Sequence, residues 1–259
     1  MHVVTTASTR GIGFYVARGL ALMGAKVAVT GRDARRVRDT VNDLRSEGLD
    51  VYGFVVDLLS KNDLETLIEH GWSVGGKIDA IVFNTGNVSC EPCYLHEARY
   101  DDWVEAARRH LIAPGYISSI YISKLLAEGA KGTIIFLSSA SVREPMPHFV
   151  LADTARAGLV QLAKSIALRY SDKGIRAYTL LLGSFDTPGA RKNIRTLAER
   201  QGVRFEDAWK RWVIEATPLR RVATPRELAL LVALLISGAV EYMTGSTILF
   251  DGAMTKCSF

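Results

Sequence analysis

Long apolar stretches are missing from this chain. The longest, LALLVALLISGAV from Leu228 to Val240, runs thirteen residues; a bilayer span needs about 20, so it reads as a buried helix and no membrane partner is expected. No cationic start leads into an apolar stretch and a cleavage site, so a cytoplasmic location is expected. Long runs of one charge are missing too. Lys and Arg number 32 against 27 Asp and Glu, a net charge of +5. The basic residues are scattered, so nucleic acid is not an expected partner. Cysteine is scarce, at three residues. Cys90 and Cys93 form CEPC, with His96 nearby. No second C-x-x-C completes a zinc site, and no metal is expected. The pair stays open between idle thiols, a local disulfide and a redox centre. Cys257 carries no signal. Only two Gln occur, and 22 Arg outnumber ten Lys, a bias that points to a heat-adapted or GC-rich source.

Apolar residues make up 48% of the 259 residues, enough for one large core. Short β-rich runs at 2–7, 26–31, 49–57, 78–84, 132–139, 175–183 and 246–252 alternate with helical segments. Apolar continuity without strict alternation suits strands buried on both faces, as in a parallel sheet. The repetition predicts an α/β chain with a doubly wound sheet of about seven strands. No repeat or low-complexity linker divides it, so residues 1–259 read as one domain. Ser60 with Asp63 reads as a capping box. Asp153 reads as a helix-start residue, able to cap the helix that begins near 149. The stretch 187–218 is too long for a plain connection. It is charged and helical, with Trp209 and Trp212 three apart. It is either a lid over a cleft or a subunit contact.

TTASTRGIGFYVARGL follows the first run at once and opens a helix. Gly11 and Gly13 permit close backbone approach, and the helix start offers unpaired N–H groups to a pyrophosphate. A carboxylate about twenty residues past such a turn binds the ribose hydroxyls of NAD. Here that place is Gly31, followed by Arg32, with Arg10 inside the turn. Two guanidiniums without a carboxylate favour a 2′-phosphate, because Arg reads phosphate bidentately. NADP(H) is therefore expected over NAD(H). The alternative is that both arginines are solvated surface residues.

With these motifs in order, the chain resembles the short-chain dehydrogenases/reductases over nearly its whole length, in the branch of 3-oxoacyl-ACP reductases and glucose dehydrogenases. TASTRGIG resembles the family's T-G-x-x-x-G-I-G turn, with Ala7 for the first glycine. At positive φ, Ala7 would cost about 1 kcal/mol. VVDLL resembles its D-V or D-L motif, NTGN its N-N-A-G, and LLLGSFDTPG its P-G-x-x-x-T segment with Leu182 for the proline. TPLRRVATPRELA and MTGSTILFDGA resemble its C-terminal segment. The resemblance implies a Rossmann-type domain with helices on both faces. It implies cofactor contacts from Thr6, Ser8, Thr9, Arg10, Gly11, Ile12 and Gly13 in the turn, and from Arg32, Asp57 and Leu58. Asn84, Thr85, Gly86, Arg156, Gly183 and Thr187 complete the implied set.

The family moves hydride between nicotinamide and a carbonyl or alcohol, helped by Asn, Ser, Tyr and Lys. Carried over by position, Ser139 keeps its residue. His110 stands for the Asn, Ala152 for the Tyr and Arg156 for the Lys. The implied catalytic residues are Ser139, Arg156 and His110. His110 also reads as a packed helix residue, and His148 as a loop residue. Three functions stay open. One is an NADP(H)-dependent oxidoreductase with an altered site, acting on a small carbonyl or alcohol. The second is a nucleotide-binding protein without turnover, a sensor or scaffold. The third is a thiol redox centre at CEPC. The resemblance also implies a homodimer or homotetramer, through YISSIYISKLLAEG and the run at Leu228.

Overall fold

The computed structural model describes residues 1–257; Ser258 and Phe259 lie outside the described residues. Each apolar run becomes a strand: β1 (His2–Thr5), β2 (Lys26–Gly31), β3 (Val51–Val55), β4 (Ala80–Phe83), β5 (Gly132–Ser139), β6 (Ile175–Leu182) and β7 (Thr247–Phe250). They form one sheet in the order β3-β2-β1-β4-β5-β6-β7. Every pairing is parallel. β3 is shorter than the expected 49–57 because its partner ends: Val55 pairs with Gly31, the last residue of β2.

The helices are α1 (Gly11–Leu22), α2 (Ala34–Ser46), α3 (Lys61–Gly75), α4 (Tyr100–Ala107), α5 (Ala113–Ala127), α6 (Val150–Tyr170), α7 (Pro188–Gln201), α8 (Phe205–Trp209) and α9 (Pro225–Ser237). Alternate strand residues feed two cores. Val3, Val27, Val29, Val82, Ile135 and Leu180 pack with α1, α2 and α9 on one face. Val4, Ala28, Ile81, Phe83, Phe136 and Ala177 pack with α3, α5 and α6 on the other. Side chains of a strand alternate faces. With both faces covered, the sequence reads as continuously apolar, and the doubly wound Rossmann-type expectation holds. Phe83 and Phe136 stack at 5.3 Å between centroids, each at most 1% exposed; truncating either to Ala should cost about 3–5 kcal/mol.

The chain turns from one half of the sheet to the other between β1 and β4. Ligands of such sheets bind where the strand order reverses, beyond the carboxyl ends of the strands. Two local expectations are corrected. Ser60 does accept the Asp63 amide at 3.3 Å, but Asp63 accepts the Ser60 hydroxyl at 2.9 Å and the Asp57 amide at 2.8 Å rather than the Ser60 amide that a capping box requires. Asp153 lies in the first turn of α6, yet the cap position is Phe149, which offers no side-chain bond. The Asp153 carboxylate reaches out of the helix instead. The stretch 187–218 folds as α7, α8 and a π-turn at Lys210–Ile214.

Candidate active site

The glycine turn is held from beneath. The Thr6 hydroxyl donates to the Asn84 carbonyl at 2.7 Å and accepts the Asn84 amide at 3.0 Å. The Asn84 side chain donates to the Ala7 carbonyl at 2.9 Å. These bonds tie the end of β1 to the end of β4. Ala7 sits at φ +46°, the strained region anticipated for a non-glycine residue there. A Cβ at Gly13 would lie 2.6 Å from the Ala7 carbonyl and 2.7 Å from the Asn84 side-chain nitrogen. Gly11 has φ +59°. No acidic residue stands in the first turn of α1, and Arg10 at its cap makes no capping bond. The Gly11, Ile12 and Gly13 amides thus present an uncapped positive helix end, which fits a pyrophosphate.

Arg10 and Arg32 are both exposed. Asp33, the carboxylate nearest the end of β2, caps α2 by accepting the Arg36 amide at 3.1 Å. Gly31 is where the Thr9 side chain leans across, 2.9 Å from a Cβ placed there. Two guanidiniums with no unengaged carboxylate between them fit a phosphorylated ribose.

Some expected contact residues face inward. Ser8 is fully buried and its hydroxyl donates to the Thr5 carbonyl at 2.8 Å and accepts the Thr30 amide at 3.0 Å, so its side chain fastens β1 to β2. Leu58 belongs to the core. Gly183 makes its close approach to the Asp251 backbone, 2.6 Å from a Cβ at that position. Asp57 is half-buried and accepts the Leu59 amide at 3.0 Å through one carboxylate oxygen. The Thr187 side chain lies 3.9 Å from a Cβ at Gly11, while Tyr15 donates to the Asp186 carbonyl at 3.2 Å. The start of the inserted stretch therefore rests on the glycine turn. Arg200 of α7 pairs with Glu97, in the segment after β4, at 2.9 Å.

The second cluster forms where β4, β5 and α6 meet. His110, in a π-turn at Arg108–Ile112, is fully buried, with Nδ1 2.6 Å from the Thr85 hydroxyl. Its Nε2 has no partner among the described residues. Burial first, then the Arg156 and Arg109 charges, holds its pKa well below the usual histidine value, so the ring is neutral. Arg156 is half-buried and donates to the Gly86 carbonyl at 3.2 Å. Ala152 is 1% exposed and packs with Val88, Cys93 and Leu151. Its amide donates to Glu91 at 2.8 Å. Burial raises the Glu91 pKa, against its bond from Ala152 and the Arg156 charge.

Sequence reasoning missed Glu91 and a chain of hydroxyls. The Ser139 and Ser141 hydroxyls are 2.6 Å apart, and Ser141 donates to Asp153. The visible signal was SSAS, with Ser141 two residues beyond Ser139. The Cys90 and Cys93 sulfurs are 2.7 Å apart as free thiols, and burial pushes Cys90 up to about 12. No three His, Cys, Asp or Glu side chains gather as a metal site among the described residues. No described helix is long and apolar enough to cross a membrane.

The sequence matches the family described as enoyl-(acyl carrier protein) reductase over residues 6–255. It is 29% identical over 252 residues to dehydrogenase/reductase SDR family member 4 of Bos taurus, covering 96% of this chain and 85% of that protein. The chain belongs to the short-chain dehydrogenase/reductase family. A tropinone reductase homolog of Arabidopsis thaliana is another relative, 28% identical over 260 residues, with 100% of this chain and 80% of that protein covered. L-sorbose reductase from Gluconobacter frateurii, solved with NADPH and L-sorbose, superposes with a TM-score of 0.90 at 26% identity, covering 99% and 97%. An actinorhodin polyketide ketoreductase solved with NADPH shares the fold at a TM-score of 0.92 and 24% identity, covering 99% and 97%. The short-chain dehydrogenase/reductase assignment makes this an oxidoreductase fold whose solved neighbours include NADPH complexes.

Proposed function

We propose that this protein transfers hydride between NADP(H) and a small carbonyl or alcohol in the cytoplasm, through a site where Ala152 and Arg156 replace the family's Tyr and Lys. One observation supports the reading: the uncapped glycine turn after β1, Arg156 on the Gly86 carbonyl after β4 and half-buried Ser139 at the end of β5 belong to the carboxyl ends of three neighbouring strands. The turn amides, with Arg10 and Arg32, would hold a 2′-phosphorylated dinucleotide. Bound there, the dinucleotide supplies or accepts hydride. Arg156 takes the nicotinamide side and, being permanently charged, stabilises a developing oxyanion without giving up a proton. Ser139 bonds the substrate oxygen. His110, neutral and bonded to Thr85, holds the neighbouring backbone.

The stretch 187–218, seated on the glycine turn through Thr187, acts as a lid. α9 leaves Leu230 and Leu234 45–49% exposed, and Leu168 on α6 is 82% exposed; these faces suit a homodimer or homotetramer, which light scattering would detect. Calorimetry with NADPH and NADH, followed by NADPH oxidation over aldehydes, ketones and quinones, tests the reading. Tighter NADPH binding with steady oxidation is expected, and tighter NADH binding refutes the cofactor preference. The second reading, a nucleotide-binding protein without turnover, is favoured by the packed methyl of Ala152, which has no proton to give. Binding without oxidation of any substrate would establish it.

A further inference from the structure

Removing a phenol from a carbonyl-reducing site leaves the proton unaccounted for. A positioned acid contributes about 10²–10⁴-fold. Arg156 does not release its proton near neutrality, and His110 is neutral and sealed, with its one bonded nitrogen committed to Thr85. The Cys90 thiol is held protonated by burial. A line of three side chains starts at the half-exposed Ser139, at the end of β5, and runs into the protein. Ser139 and Ser141 are 2.6 Å apart, and the Ser141 hydroxyl donates to Asp153 Oδ1. Ser141 and Asp153 are 3% and 6% exposed. The other carboxylate oxygen accepts the Met146 amide at 3.2 Å.

We propose that Ser139, Ser141 and Asp153 form a proton relay that supplies the acid–base step in place of the phenol, with the Asp153 carboxyl as its inner terminus. The inference rests on the oxidoreductase reading above and goes beyond it by naming where the proton resides. Every hydroxyl in the line both donates and accepts, so the whole line reverses with the state of Asp153. With Asp153 protonated, its hydrogen points to Ser141, that of Ser141 to Ser139, and that of Ser139 to the substrate. The carbonyl carbon then receives hydride with its electron pair, and the oxygen receives the Ser139 proton. Ser139 is refilled from Ser141 and Ser141 from Asp153. One proton from water restores the acid, so reduction consumes one dihydronicotinamide and one proton per alcohol. With Asp153 ionised, the two serine hydrogens point inward, as drawn by the Ser141–Asp153 bond, and the alcohol hydrogen points to Ser139. The line then takes the alcohol proton while hydride leaves carbon, and once product has left the proton returns to water through Ser141 and Ser139.

The charged groups facing Asp153 are Arg156, three residues on along α6, and Glu91 from the segment after β4. The 140–149 segment adds the Ser141 hydroxyl and the Met146 amide. Burial raises the Asp153 pKa, and the Ser141 bond, the Met146 bond and the Arg156 charge oppose it in that order. The acid thus stays protonated to higher pH than an ordinary aspartate.

The experiment pairs a titration that needs no turnover with a pH–rate profile. Aspartate carboxyl groups are followed by carbon-13 NMR in the unmodified chain, Asp153→Asn, Ser141→Ala and Glu91→Gln. A signal absent from Asp153→Asn should titrate above the usual aspartate range of about 3.9, and should move further up in Ser141→Ala, which deletes a bond favouring the ionised form. A signal at the ordinary position, or one indifferent to Ser141, overturns the relay. In steady state, NADPH-dependent reduction should fall with rising pH through that same midpoint. Asp153→Asn and Ser141→Ala should each lose about 10²–10⁴-fold together with the pH limb, and the double variant should be no slower than either single one, as members of one line are not additive. Glu91→Gln should keep the limb. A limb that disappears with Glu91, or losses that multiply, overturns the relay. Ser141→Ala leaves the carboxylate and its Met146 bond intact, so it carries the test if Asp153→Asn does not fold. Should the unmodified chain turn over no substrate while the titration behaves as stated, the oxidoreductase reading fails and the Asp153–Ser141 coupling stands.

Discussion

Gly13→Ala is the sharpest test of how the glycine turn is built. The added methyl would sit 2.6 Å from the Ala7 carbonyl, 2.7 Å from Asn84 Nδ2 and 3.0 Å from Ser8 Cα. Two of these atoms are backbone. The third is fixed by its bond to the Ala7 carbonyl at 2.9 Å. Nothing can swing away, so the turn must open. Overpacking of this kind costs about 1–3 kcal/mol, and loss of the Asn84–Ala7 bond adds about 1. Together they destabilise by about 2–4 kcal/mol. At roughly 2–4 °C per kcal/mol for a chain of this size, Tm should fall roughly 5–15 °C. Gly11→Ala supplies the contrast. Its Cβ meets Thr187 only at 3.9 Å, and the strain comes from φ +59° alone, worth about 1 kcal/mol. The assay is calorimetric or circular-dichroism melting of both variants, with NADPH titration of each. If Gly13→Ala melts within a degree of the unmodified protein and binds NADPH equally well, the turn is not packed as described and the argument for a pyrophosphate cradle collapses.

Arg32→Ala should weaken NADPH about tenfold, the equivalent of about 1.4 kcal/mol, while leaving NADH unchanged; equal losses for both would assign Arg32 to something other than the 2′-phosphate. His110 has a folded pKa well below the usual value, so the unfolded chain binds the extra proton first. Its stabilising contribution is complete above about pH 6.5 and is lost below it, at up to about 1.4 kcal/mol per pH unit. His110→Asn should flatten the fall in Tm between pH 7 and 5, and an unaltered curve would show that His110 titrates normally. Ala152→Tyr should lower Tm by overpacking the cluster of Val88, Cys93 and Leu151, a cost of about 1–3 kcal/mol; a more stable variant would mean that this side chain faces open space. Cys90→Ser should leave NADPH oxidation intact, and loss of activity there would bring back a thiol redox centre.

The sheet was legible because its signal is redundant. The inner strands are buried on both faces, so each could be read without knowing its neighbours; the edge strands β3, with Val55 48% exposed, and half-buried β7 carry the same apolar run, and ends such as 49–50 and 56–57 were misplaced, where pairing with β2 runs out. The glycine turn was legible through backbone need: Gly13 has no room for a methyl, and Ala7 is strained at φ +46°. Direction of side chains was not legible. Ser8 and Leu58 lie in the motif yet point into the interior. Asp153 reads as a capping residue by position, because sequence spacing cannot show that its carboxylate leaves the helix for Ser141 and Met146. Glu91 lies inside CEPC, a spacing that signals its cysteines and not the residue between them, which accepts the Ala152 amide.

Charge balance decides which acid matters. Glu91 and Asp153 are both buried, at 6% exposure each, and a single guanidinium, Arg156, faces the two of them. Two ionised carboxylates there would leave an uncompensated negative charge in a poorly solvated place. Burial therefore favours one retained proton for the pair, and both carboxyl groups are indeed raised by it. The location of that proton has chemical consequences. Held on Glu91, it is stranded, because the bonded partner is the Ala152 backbone amide, which can give a hydrogen bond but cannot pass a proton on. Held on Asp153, it stands at the end of two hydroxyls that lead to the surface of the cleft. Arg156, which cannot act as an acid, offsets one ionised carboxylate and opposes both upward shifts, so the retained proton is the work of burial.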